Sequence, residues 1–422
     1  MKRSLVFLLI LLLLPLPASH AQEEIPAAYT SRTKVASGYF ATVSVLCLFD
    51  DYEDPAANSR LEETWQQVKA ILEEIEQTVS ASVPTSEIAR FNALPQGGRL
   101  SVSPLTAELV ELSRDMCQRT GGLYDPTVYP LVDLWGFSPR FTYGDGIPQP
   151  YDRQREDGTL PPPDEAYIEA FLRLVGMDGI LLERDADGGY VLIKQTPSVS
   201  VSGQRYHAQL DLGGIAKGYA VDRVRELLAE KGYEYGYFSC GSSSVCVLKS
   251  ASSSAKEEGD PHFWLQINSP RQTPQGTGAY AQVSIMDCSL SSSGDYGRNY
   301  ELGGERYCHI IDPCTGYPMN VTGATPQEGV CTVTLLSGSA AEDDALTTAL
   351  CLMDLPALLD FINDGADGRE IILVCYRNGC DRYEVVTNLS SSRIKLLDPA
   401  YVLASHIDSS GEVLYMGTLF EP

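Results

Sequence analysis

Three short segments hold the residues whose types and spacing could do chemistry. In residues 341–350, Asp344 and Thr348 are four apart. On a helix that spacing puts their oxygens on one face, where both could reach a hard cation. The alternative is acidic residues favoured by the dipole at a helix start. In residues 307–318, His309 ends a strand pattern and Asp312-Pro313 begins a sharp turn with Thr315 and Gly316. An imidazole that titrates near neutrality could take a proton from an attacking hydroxyl, and Asp312 could orient it or cap the turn. A structural histidine is the other reading. The third segment, residues 211–222, reads Asp-Leu-Gly-Gly-Ile-Ala-Lys-Gly-Tyr-Ala-Val-Asp. Gly213, Gly214 and Gly218 let a backbone approach a ligand, amides at a helix start can face phosphate oxygens, and Lys217 adds a mobile charge. The pattern is neither GxxxxGK[ST] nor GxGxxG, and a tight turn without ligand fits it too.

The elements that must carry these residues follow from periodicity. Trp65, Val68, Ile71, Leu72 and Ile75 recur at helical spacing, so residues 61–79 are predicted as a helix, and residues 105–119 as a second. Further helices are predicted at 167–175, 218–231, 340–353 and 355–363. Strands are predicted at 39–49, 179–182, 190–193, 237–248, 264–267, 281–286 and 331–335. Residues 371–376 and 383–387 read as a hairpin, and 413–420 as a strand closing a sheet edge. Residues 138–163, rich in Pro, Gly, Asp and Arg, read as a surface insertion. Strands outnumber helices without a βαβ alternation, which favours an α+β fold.

The chain has 422 residues, 44% hydrophobic and 21% charged, with a formal charge of −25. That charge argues against nucleic acid as partner, since polyphosphates need clustered Lys and Arg. A phosphorylated substrate must then be met locally, by backbone amides, a few cations or a metal. Lys2 and Arg3, an apolar run at 5–14 and Ser19-His20-Ala21 form an export-signal pattern, with cleavage expected after Ala21 and an uncleaved anchor as the alternative. The run is too short to span a bilayer. The mature chain then opens with residues 22–37 and sits in the periplasm or on the extracellular face of the cytoplasmic membrane. Eleven cysteines fit no zinc spacing: Cys240/Cys246 and Cys375/Cys380 are too loose for CxxC. Most are expected as small buried apolar residues, with one or two disulfides possible.

Three more patches complete an ordered set: 85–92 with Glu87 and Asn92, 122–128 with Asp125 leading to Leu134-Trp135-Gly136-Phe137, and 292–296 with Ser293 and Gly294. Each alone could be a turn or core contact. Together and in this order they resemble the FAD:protein FMN transferase family, the ApbE-like flavin transferases. The resemblance implies one α+β catalytic domain over residues 38–422, with FAD in a cleft between sheet and helices. It implies Mg2+ held by Asp344, Thr348 and the Ala216 carbonyl, with Lys217, Gly213 and Gly214 near the pyrophosphate. Glu87 and Asn92 would lie near the flavin, Asp125, Ser293 and Gly294 would contact the cofactor, and His309 would be the base, with Asp312 beside it. The implied reaction moves FMN from FAD to a Thr or Ser hydroxyl of an acceptor protein carrying a Ser/Thr-Gly-Ala-Thr type motif. Membrane association would come only through an uncleaved N-terminus or a membrane-bound acceptor. Two other readings stand beside it, a Mg2+-dependent FAD pyrophosphatase and an exported flavin-binding protein without turnover. The chain departs from the family pattern at Phe40-Ala41-Thr42, usually Met-Gly-Thr-like, at 239–244, usually a Gly-Gly-Asp or Gly-Gly-Asn turn, and at Cys314, often Arg. Residues 322–325, Thr-Gly-Ala-Thr, resemble the acceptor motif itself, with Met319 where the motif's upstream Asp would stand.

Overall fold

A computed structural model describes residues 29–138, 161–248, 263–271, 278–285, 287–302, 305–319, 328–377, 382–407 and 413–415. The export-signal pattern at 1–21, residues 139–160 of the predicted insertion and the 322–325 motif lie outside the described residues.

A nine-stranded sheet forms the centre, and its spatial order follows the chain: β1 (Thr30–Ser37), β2 (Val43–Asp50), β3 (Tyr235–Cys240), β4 (Ser244–Leu248), β5 (Ser289–Gly294), β6 (Glu328–Ser337), β7 (Glu370–Arg377), β8 (Tyr383–Thr387) and β9 (Tyr401–Leu403). Neighbours are antiparallel except β8 and β9, which run parallel. Side chains alternate between faces, as the pleat requires. Leu46, Leu48, Phe238 and Leu373 join the core under the helices, whereas Cys47, Tyr237 and Val374 join a second core, covered by a smaller sheet of Phe263–Asn268, Ala279–Ile285 and Ile394–Leu396. The helical layer includes α1 (Pro55–Val79), α2 (Pro104–Arg119), α3 (Gly213–Glu230) and α4 (Ala340–Leu350). The fold is α+β, as the element pattern implied.

Where expectation and structure part, the reason is local. Helix α1 starts at Pro55, ahead of its apolar stripe, because Asp54 caps it by accepting the Ala56 N–H at 2.9 Å. The predicted strand at 237–248 is a hairpin, broken where Gly241 turns at φ +68°. Strand β1, an exposed polar edge strand with no apolar alternation to betray it, occupies what the sequence left as an N-terminal segment. Val413–Tyr415 does not close the central sheet: it pairs with Ser405–Ile407 in a separate two-stranded ribbon, and β9 is the edge. Among the described residues no helix is long and apolar enough to cross a membrane.

Candidate active site

The glycine segment and the acidic helix meet at one corner. Helix α3 begins at Gly213, five residues earlier than apolar spacing suggested, because the Asp211 carboxylate takes the Gly213 N–H at 2.8 Å. Its N-cap position, Leu212, has no side chain able to cap; the Ile215 and Ala216 N–H groups go to the Leu212 carbonyl, which leaves the Gly214 N–H as the open donor of the first turn. Gly213 is exposed, and Gly214 lies over the buried Tyr124 ring, where a Cβ would come within 3.2 Å of Cε2 and 3.9 Å of Thr348 Oγ1. Gly218 serves packing: a Cβ there would stand 2.1 Å from the Ala340 carbonyl oxygen, so only glycine lets α3 and α4 touch. That contact delivers Asp344, whose Oδ2 accepts the Gly218 N–H at 3.2 Å and lies 3.7 Å from Lys217 Nζ. Lys217 Nζ also donates to the Gly213 carbonyl at 2.9 Å.

Asp344 is 3% exposed, and burial raises its pKa, offset in part by the Lys217 charge and the Gly218 N–H. Thr348 Oγ1, on the same face of α4, donates to the Asp344 carbonyl at 3.1 Å and sits 3.4 Å from Ser293 Oγ, which in turn lies 2.8 Å from Thr347 Oγ1. The Gly218 and Lys217 contacts both go to Asp344 Oδ2. The Asp344 carboxylate and the hydroxyls of Thr348, Ser293 and Thr347 form an all-oxygen donor set with one anionic group, to which the resemblance would add the Ala216 carbonyl. It suits Mg2+, which prefers one or two carboxylates and completes its shell with water and substrate phosphate. Among the described residues no cluster of three His, Cys, Asp or Glu offers a rival metal site. Glu342 and Asp343 point away, both paired with Arg369.

His309 lies within electrostatic reach of Lys217. Its backbone N–H donates to the Arg298 carbonyl at 3.1 Å, and its ring Nδ1 is enclosed without a partner. Burial first, then the charges of Arg298 and Lys217, push its pKa down to about 3, so the ring is neutral at ordinary pH but a weaker base than the near-neutral imidazole expected from the sequence. The Asp312 carboxylate is engaged by the turn, accepting the Cys314 N–H at 2.8 Å and the Thr315 hydroxyl at 2.9 Å. The Leu-Trp-Gly-Phe segment props the same turn: Trp135 Nε1 donates to the Gly316 carbonyl at 2.7 Å, and its ring packs against Tyr307 and Tyr317 at 5.7 and 5.6 Å.

The remaining residues are more structural in their contacts. Both Glu87 oxygens accept from Ser103 N–H, at 2.9 and 3.0 Å, and one also takes the Ser103 and Thr106 hydroxyls, tying residues 87–92 to the start of α2. Buried Asn92 exchanges two hydrogen bonds with the Leu210 backbone, at 2.7 and 2.8 Å. Asp125 takes the Thr127 N–H and hydroxyl, and burial raises its pKa. Gly294 lies in β5, where a Cβ would press within 2.6 Å of the Cys331 carbonyl oxygen. Beside Asn92 opens a cleft of about 400 Å³, lined by Tyr129, Phe171, Arg205, His207 and Gln209. Sequence reasoning passed over that cleft, Tyr124, Arg298 and Asp222; Tyr124 and Asp222 lay inside segments already singled out. At the departures from the family pattern, Ala41 holds φ +52°, a conformation glycine adopts without strain, and the Phe40 N–H is secured by Glu76 at 2.8 Å. Cys47, Cys240, Cys246, Cys308, Cys331 and Cys351 are buried thiols outside any disulfide.

The ApbE family model matches residues 38–373. The chain is 28% identical to the FAD:protein FMN transferase of Haemophilus influenzae over 328 residues, covering 78% of this chain and 83% of that protein. It is 30% identical to the enzyme of the same name from Vibrio cholerae over 287 residues, 68% of this chain and 72% of the relative. Among solved structures, the apo flavinyl transferase ApbE of Pseudomonas stutzeri superposes with a TM-score of 0.63 at 23% identity, over 86% of this chain and 96% of the other. The ApbE protein of Thermotoga maritima gives 0.60 at 24% identity, over 83% and 97%. The family model covers well over half of the sequence, and the chain belongs to the ApbE family.

Proposed function

We propose that this chain transfers FMN from FAD to a serine or threonine hydroxyl of an acceptor protein, with release of AMP. One observation carries the reading: the α3–α4 contact at Gly218 brings a buried carboxylate, a lysine and an open helix start to a single corner. The names of the relatives, FAD:protein FMN transferases, supply the substrate. Asp344, Thr348 and the Ala216 carbonyl would hold Mg2+, which when bound neutralises a pyrophosphate and steadies a departing phosphate. Gly214 offers its amide to a phosphate oxygen, with Gly213 beside it free of a Cβ, and Lys217 exchanges its Asp344 contact for the substrate's charge. The aromatic and cationic cleft beside Asn92 suits the flavin ring, whose polar edge presents acceptors to Arg205 and His207. In the reaction the acceptor oxygen bonds to the FMN phosphorus as the bond to the AMP phosphate breaks, and neutral His309 takes the hydroxyl proton. The N-terminal export pattern supports action outside the cytoplasm.

The test is incubation of the purified protein with FAD and Mg2+, with and without an acceptor carrying Ser/Thr-Gly-Ala-Thr. Covalent FMN on the acceptor, found by intact mass, is the expected result. Free FMN and AMP in both arms would replace transfer by hydrolysis, and unaltered FAD would leave only binding.

A further inference from the structure

The structure assigns to Asp222 the role of positioning residue for the cation site: it locks the start of α4 onto α3 and so sets Asp344 and Thr348 against the glycine turn. Its carboxylate, one turn beyond Gly218 on α3, accepts the Ala340 N–H at 2.8 Å, the Ala341 N–H at 2.9 Å and the Ser339 hydroxyl at 3.1 Å. The α4 start is thus capped across two helices. Ser339, its own N-cap, covers only the Glu342 N–H, at 3.3 Å. A cap from a neighbouring helix does what a local cap cannot: it fixes the distance between two elements as well as ending one of them. The glycine contact at 218 sets how close the helices come, and Asp222 sets how α4 is seated along that contact. Asp344 follows Ala340 by one turn and Thr348 by two, so any slippage of the α4 start carries both ligands with it. Other restraints keep the helix folded without Asp222: Ser291 Oγ donates to the Ala340 carbonyl at 3.2 Å, and Arg369 Nε donates to Asp343 at 2.9 Å.

This inference rests on reading Asp344 and Thr348 as cation ligands, and the experiment separates the two. Mg2+ is titrated calorimetrically into protein holding ADP, a pyrophosphate with no FMN to donate. The proteins are the wild type, Asp222→Ala, Asp222→Asn and, as a control, Asp354→Ala, which removes the N-cap of Leu355–Asn363 (Asp354 Oδ1 to Ala357 N–H, 2.8 Å). Asp222→Ala is expected to weaken Mg2+ binding by roughly tenfold or more, the scale on which residues behind metal ligands act. Asp222→Asn, which still accepts one amide, should fall between it and the wild type and serves alone if the alanine variant does not fold. Asp354→Ala should lower the melting temperature comparably while leaving the Mg2+ midpoint unmoved. A folded Asp222→Ala with wild-type Mg2+ affinity, or an equal shift from Asp354→Ala, overturns the inference and leaves the proposed function standing. A wild type that takes up no Mg2+ overturns both.

Discussion

The starts of helices α3 and α4 lie against each other and are finished in opposite ways. At α4 the Ala340, Ala341 and Glu342 amides all go to protein oxygens, from Asp222 and Ser339. At α3 the N-cap is a leucine, the first two residues are glycines, and Asp211 secures the Gly213 amide. The physical difference is between a helix end satisfied from within and one that keeps the Gly214 amide for something else. A saturated end positions side chains; an open end, stripped of Cβ atoms, receives a ligand. Glycine at the head of a helix also forgoes stability, so its presence twice in succession calls for a compensating use.

Substitutions at the two ends should separate these roles. The largest effect is expected from Asp344→Ala, which removes the carboxylate of the proposed donor set: Mg2+-dependent FMN transfer should drop at least about a hundredfold, a few kcal/mol of transition-state stabilisation, with circular dichroism unchanged. Activity within a few-fold of wild type would end the metal assignment. Next comes Lys217→Met, expected to raise the FAD KM about tenfold through loss of a charge-assisted contact. It should also move the acid limb of the pH–rate profile. The Lys217 charge lowers the pKa of both Asp344 and His309, so its removal raises both, and each becomes protonated at a higher pH than before. An acid limb that stays put or moves down would show that Lys217 does not act on these groups.

The smallest effects form a reciprocal pair. Gly214→Ala should weaken FAD binding, since its methyl meets Tyr124 at 3.2 Å and occupies the cradle, while stability holds or rises by up to ~1 kcal/mol from the better helix former. Ser339→Ala should do the reverse, costing ~1 kcal/mol of stability in denaturant melts with FAD affinity unchanged. If both substitutions cost stability and neither touched binding, the two helix starts would be alike in kind.

The sequence announced the pieces of this corner better than their assembly. Helical spacing put Asp344 and Thr348 on one face, and the structure brings that face to Gly214 and Ser293. The glycines were legible as a close-approach segment, but not that Gly218 serves helix packing while Gly214 stays open, because that distinction depends on Ala340, far along the chain. Asp222 was invisible as a cap for the same reason: its partners lie more than a hundred residues away, and local capping rules look only three residues ahead. Asp312 carried two readings in the sequence, and its hydrogen bonds follow the turn-capping one. Glu87 and Asn92 stood out as a polar patch, yet their contacts hold α2 and the Leu210 backbone in place. In the sheet, the apolar strands declared themselves, whereas serine-rich β5 and polar β1 did not, and Val413–Tyr415, expected as a strand, takes a partner that composition does not encode.

The central claim is that a cation at the α3–α4 corner opens a flavin dinucleotide to attack, and chelation tests it most directly. The purified protein is stripped with excess chelator, FAD turnover is followed by AMP release, and Mg2+ is then restored. The account expects AMP release to stop and to return with Mg2+; an undiminished rate in the stripped protein would contradict it.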